Sequence, residues 1–83
     1  MDKTTIVRQA LRTYVRSQLH RSSNTLSPQQ WLTLLNCYIR RQDAEECADL
    51  AGIRPLEAEM WYTRFAMAVI SYAVRLTRIK YAA

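Results

Sequence analysis

Gly52 is the only glycine in a chain of 83 residues. It interrupts residues 43–62, DAEECADLAGIRPLEAEMWY, between two stretches that both favour helix. Glycine takes a left-handed backbone position at little cost, so it ends a helix and turns the chain. Pro55 follows closely and suits the first position of a new helix. Two helices around a tight corner are expected, one over about 44–51 and the other starting at Pro55. With one glycine and two prolines, the chain has too few turn residues for a β fold built on many hairpins. The expected class is all-α: a four-helix helix-turn-helix domain with a long C-terminal helix. Its length allows one domain, 1–83, with a thin core that a partner subunit often completes.

Apolar spacing places the other helices. Val7, Leu11, Val15 and Leu19 recur every fourth residue, with Ile6, Ala10, Tyr14 and Gln18 beside them. That is an amphipathic helix running from a cap at Thr4 or Thr5 to about His20. The polar run 21–25, RSSNT, reads as a loop and candidate hinge. Ser27-Pro28-Gln29-Gln30 has the form of a capping box with proline at the first helical position. The helix it opens should reach about Arg41, burying Trp31, Leu34, Leu35 and Tyr38, with Arg40 and Arg41 favourably placed in its last turn. Asp43 and Glu46 suggest a second capping box ahead of the short helix.

The last helix should run over about 55–80. Trp61, Phe65, Ala68, Tyr72, Leu76 and Ile79 form one apolar stripe, and Met60, Met67 and Val74 form another at seven-residue spacing. Residues 65–74 carry no charge, so the helix is apolar all round there and needs cover on every side. A second copy meeting Met67, Ile70 and Val74 would supply it, in a homodimer. A fully covered monomer core is the alternative.

Charge is segregated along the chain. Lys3, Arg8, Arg12, Arg16 and Arg21 against Asp2 give residues 1–21 a net +4. Arg40, Arg41 and Arg54 against Asp43, Glu45, Glu46, Asp49, Glu57 and Glu59 give residues 22–63 a net −3. Arg64, Arg75, Arg78 and Lys80, without an acid, give residues 64–83 a net +4. Basic ends of this kind can grip phosphate, or meet the acidic centre of a second copy. Arg8, Arg12, Arg16 and His20 form a stripe on the first helix that reads equally as a phosphate-binding rail or a solvated face.

Other classes find little support. Cys37, Cys47 and the single His20 lack metal-ligand spacing, and the cysteines read as small apolar core residues. There is no glycine-rich phosphate loop and no catalytic cluster, so neither an enzyme nor a cofactor is expected. The charged first twenty residues do not resemble a secretory signal, and the uncharged run is too short to span a bilayer. A cytoplasmic protein without membrane attachment is expected.

The stretch LSPQQWLTLLNCYIRRQDAEECADLAGIRPLEAEMWYTRF, about residues 26–65, resembles the second half of a bacterial sigma-factor region-four domain. A support helix opens with Leu-Ser-Pro; a short capped helix with Glu45, Glu46 and Ala48 follows; Gly52-Ile53 makes the turn. The resemblance implies a transcription regulator whose last helix enters the major groove of double-stranded DNA. Carried onto this chain, the outward positions are Arg54, Leu56, Glu57, Glu59, Met60, Thr63 and Arg64. Arg8, Arg12, Arg16, Arg40 and Arg41 would hold phosphates alongside. The other reading is a protein-interaction module, an adaptor or inhibitor that docks on a larger protein such as a transcription component. It would dock through its acidic centre, with Leu56 and Met60 as apolar anchors.

Overall fold

The computed structural model describes residues 3–82, and of residues 79–82 the backbone alone. Four helices follow one another: α1 (Lys3–Leu19), α2 (Pro28–Ile39), α3 (Ala44–Ala51) and α4 (Pro55–Ala82). No strand occurs among the described residues. At about 1.5 Å per residue α4 is about 42 Å long, and it matches the long dimension of the molecule, 45 Å.

Each helix begins and ends for a local reason, and some of those reasons differ from the expected ones. Ser27 and Gln30 form the capping box as expected: the Gln30 amide donates to Ser27 Oγ (3.1 Å) and the Ser27 amide to Gln30 Oε1 (2.9 Å). Asp43 has the extended backbone of a cap, but its side chain accepts no bond there. The start of α3 rests on backbone, with the Cys47 amide donating to the Asp43 carbonyl, and on the acids of its first turn, Glu45 and Glu46, near the positive end of the dipole. Thr4 and Thr5 lie inside α1 and not ahead of it.

Arg40 and Arg41 do not lie in the last turn of α2, which closes earlier. The helix ends at Ile39, and Arg41 takes a left-handed conformation (φ 59°). The Arg41 amide donates to the Tyr38 carbonyl (3.1 Å) and the Gln42 amide to the Cys37 carbonyl (2.9 Å). This pair of bonds is the usual closure of a helix on a left-handed residue, a place normally held by glycine.

The loop between α1 and α2 is pinned by one side chain. Asn24 Oδ1 accepts from the Leu26 amide (3.0 Å) and from the indole N–H of Trp31 (3.0 Å), while its Nδ2 donates to the Leu26 carbonyl (2.9 Å). The polar run expected as a hinge is thus tied to the core through Trp31.

That core is built around Phe65 of α4, which is fully buried. Its ring meets Tyr14 of α1 edge-on (5.9 Å), and Trp31 (6.4 Å) and Tyr38 (5.5 Å) of α2. Trp31 also packs on Trp61 (4.6 Å) and Tyr38 on Tyr62 (5.2 Å). Leu11, Leu34, Cys47 and Ala58 complete the cluster, each fully buried. The expected stripe on α4 is borne out at Trp61, Phe65, Ala68, Tyr72 and Leu76, all buried or half-buried. Ile79 lies outside the residues whose side chains are described. The Tyr72 hydroxyl adds a bond to Gln9 Oε1 of α1 (3.0 Å).

Phe65→Ala should therefore cost about 3–5 kcal/mol, a large share of the about 5–15 kcal/mol that holds a domain folded. Chemical denaturation monitored by Trp fluorescence measures it. Arg41→Gly should leave stability unchanged or raise it by up to about 1 kcal/mol, because it relieves a left-handed non-glycine position. Arg41→Val should lower it in the same assay.

Candidate nucleic-acid interface

The corner between α3 and α4 is closed by small residues. On α3, Cys47, Ala48 and Ala51 are buried; on α4, Ala58 is fully buried opposite them. Gly52 is left-handed (φ 70°, ψ 37°), and the Ile53 amide donates back to the Ala48 carbonyl (3.0 Å). A Cβ at Gly52 would meet nothing within 4 Å, so the backbone angle requires the glycine and space does not. Ile53 then packs half-buried against the core.

Two side-chain bonds fix this corner to its surroundings. Gln30 Nε2 donates to the Ala51 carbonyl (3.1 Å), so the residue that caps α2 also satisfies the open end of α3. The Tyr62 hydroxyl donates to the Gln42 carbonyl (2.9 Å), joining α4 to the loop between α2 and α3. Helices α2, α3 and the start of α4 thus form one braced unit of helix-turn-helix shape.

Outward from that unit, Arg54, Leu56, Glu59, Met60, Thr63 and Arg64 are exposed. Leu56 is the extreme case at 79%. Glu57 departs from the expected outward set: it is half-buried. The Thr63 hydroxyl donates to the Glu59 carbonyl of its own helix (3.1 Å), and the Arg64 guanidinium lies 5.1 Å above the Trp61 ring. Arg40 and Arg41 are exposed at the end of α2.

Arg8, Arg12 and Arg16 are exposed along α1, as one stripe. They do not line the groove where α1 meets the outer part of α4. That groove, of about 500 Å³, is lined from α1 by Ala10, Thr13, Tyr14 and Ser17. At roughly 100° per residue, the arginine stripe sits on the opposite flank. The cations in the groove are Arg64 and Arg75, three turns apart on one side of α4. Arg75 was not among the expected contact residues, although its spacing from Arg64 places both on one flank.

Behind the corner, Cys37 and Cys47 are buried free thiols. Burial, and the neighbouring Cys37, push the Cys47 thiol up from 9.0 to about 11. Burial, and the adjacent Cys47, push the Tyr62 hydroxyl above its ordinary 10.0. Both groups are held protonated, which suits packing and not nucleophilic chemistry. No group of three or more His, Cys, Asp or Glu side chains able to hold a metal occurs among the described residues. No described helix is long and apolar enough to cross a membrane.

Compared with known protein families, with curated proteins and with solved structures, the chain finds no match. What the corner does must be read from its own residues.

The raised thiol and phenol give the fold an alkaline pH dependence. Each holds its proton to higher pH folded than unfolded, so its contribution is complete below the unfolded value and shrinks above it. Thermal stability should fall as pH rises past 9 toward about 11 with Cys47, and continue to fall as Tyr62 follows. Cys47→Ala should flatten the first part of that fall in a Tm series against pH.

Proposed function

We propose that this chain is a small helix-turn-helix regulator that contacts double-stranded DNA through the α3–α4 corner. The observation that carries the reading is the corner itself: a left-handed Gly52 between two helices in contact through alanines, braced by Gln30 and Tyr62, with the first turns of α4 open to solvent. A helix held this way can enter a major groove while the helix before it crosses the backbone. Arg54 at the open end of α4, with Arg64 farther along, supplies positive charge on this face, while Arg41 lies in a hollow with Lys3, Thr4 and Tyr62 away from it. The resemblance of residues 26–65 to sigma-factor region four supports the same reading. Arg8, Arg12 and Arg16 add to long-range attraction from the far flank of α1.

One observation favours a second reading, a protein-docking module. Leu56 and Met60, the most prominent apolar residues of the entry face, are exposed, and Glu59 stands between them. Apolar anchors ringed by charge suit a protein partner, with the charged rim setting on-rate and specificity.

Anisotropy of a labelled random-sequence duplex tests the first reading. Binding should appear at low salt and fall steeply as salt rises. Arg54→Ala should weaken it and, if it neutralises a phosphate, reduce the salt slope by about one unit. Absence of binding at low salt, despite a net charge of +5, would remove the DNA reading. Glu57→Gln with Glu59→Gln then separates the two: tighter DNA binding under the first, weaker partner binding under the second.

A further inference from the structure

The outer face of α4 carries an apolar stripe that is largely open to solvent, with Met67 also bordering the groove against α1. Leu56, Met60, Met67, Ile70 and Val74 are exposed by 79, 38, 62, 63 and 44%. At roughly 100° per residue they cluster on the side of the helix opposite Phe65, and the stripe is about 27 Å long. The fully covered monomer core considered from the sequence is therefore not what the fold provides.

The spacing is that of a coiled-coil seam. Met60, Met67 and Val74 occupy one heptad position, and Leu56, Thr63, Ile70 and Thr77 the complementary one. Residues beside the seam are charged unevenly. Glu57 and Glu59 stand at its start, and Arg64, Arg75 and Arg78 farther along without an acid among them.

From this we infer that two copies of the chain associate through α4, antiparallel, along the Leu56–Thr77 face. Antiparallel pairing sets the acidic start of each helix against the basic later part of the other. Parallel pairing would set Glu59 beside Arg64 of the second copy but leave Glu57 and Arg78 without an opposite charge. The charges also select a register. With the two-fold axis between residues 68 and 69, Met67 of one copy meets Ile70 of the other, Thr63 meets Val74, and Met60 meets Thr77. Beside this seam Glu57 meets Arg78, Arg64 meets Ser71, and Ala66 meets Ala73, where small residues let the helices approach. Sliding by one heptad in one direction sets Arg64 against Arg64 of the second copy, and in the other direction Arg64 against Arg78. Like charges at these flanking positions disfavour both alternatives.

The inference does not rest on DNA binding, and it bears on it. The seam includes Met60 and Thr63, which are also exposed on the entry face of α4. In the pair these residues are covered, so self-association and groove contact by the same face exclude one another.

Sedimentation equilibrium over a concentration series, with circular dichroism alongside, tests the pairing. The wild-type chain should be dimeric. Ile70→Glu, at an exposed position, should give a folded monomer with unchanged helicity. Glu57→Arg and Arg78→Glu should each weaken the dimer about tenfold, and the double variant Glu57→Arg/Arg78→Glu should restore it to within about twofold. A wild-type chain that stays monomeric overturns association. A dimer that ignores Ile70→Glu overturns the seam, and a double variant that stays weak overturns the antiparallel register. The duplex anisotropy of the Ile70→Glu monomer is read separately: if the chain binds DNA, the monomer binds at least as tightly as wild type. A monomer that binds markedly more weakly overturns the mutual exclusion. If neither binds, the DNA reading fails while sedimentation still decides the dimer.

Discussion

Everything in this fold converges on the ring of Phe65. A chain of this length buries few large side chains, and this one places them in a single contact group: Tyr14 from α1, Trp31 and Tyr38 from α2, and Phe65 from α4. α3 contributes no ring. Its contribution is smallness, with Cys47, Ala48 and Ala51 buried, so that α4 can pass close enough for Trp61 and Phe65 to reach α2. The polar bonds then hold the rings in register: Asn24 on the Trp31 indole, Tyr62 on the Gln42 carbonyl, Tyr72 on Gln9. Polar groups near a core are useful only when satisfied. Among the described side chains the Trp61 indole N–H is the exception, buried without a partner while its ring packs on Trp31.

Because Phe65 fixes which side of α4 faces inward, it also fixes what is left outside. The helix is longer than the three others can cover, and its apolar residues run all round the axis. One side becomes the core, a second forms the groove with α1 and carries Arg64 and Arg75, and a third, which meets that groove at Met67, remains open from Leu56 to Val74. The proposed DNA contact uses the start of the open side, and the inferred self-association uses its whole length. Both proposals use one surface, the outer face of α4.

Much of this was legible in the residues. Periodicity places all four helices, because each has one apolar face and the breakers between them are few. Gly52 announces the corner, since little else suits a left-handed position, and Ser27-Pro28-Gln29-Gln30 announces the start of α2. The ends of helices were less legible. Nothing in Arg41 marks it as left-handed; it is forced there by the closure of α2 and by the need to enter α3 at once. Asp43 has the right identity and backbone for a cap, yet its side chain makes no cap bond, and residue identity does not announce that. The arginine stripe on α1 was visible, but which flank of α1 would meet α4 depends on Tyr14 reaching Phe65 across the domain, a contact that local spacing does not encode. Glu57 was misplaced for the same kind of reason: half-burial is set by neighbours, not by the helix that carries it.

The measurement that bears most directly on this picture is the methyl NMR spectrum of methionine in the intact chain, followed on dilution. Three methionines occur, and Met60 and Met67 lie on the open side of α4. If that side is the contact surface, both methyl signals should move together with concentration while the Trp31 indole proton, bonded to Asn24 inside the core, stays fixed. Methyl signals that hold still at every concentration and on addition of duplex would contradict the central claim that function lies on the outer face of α4.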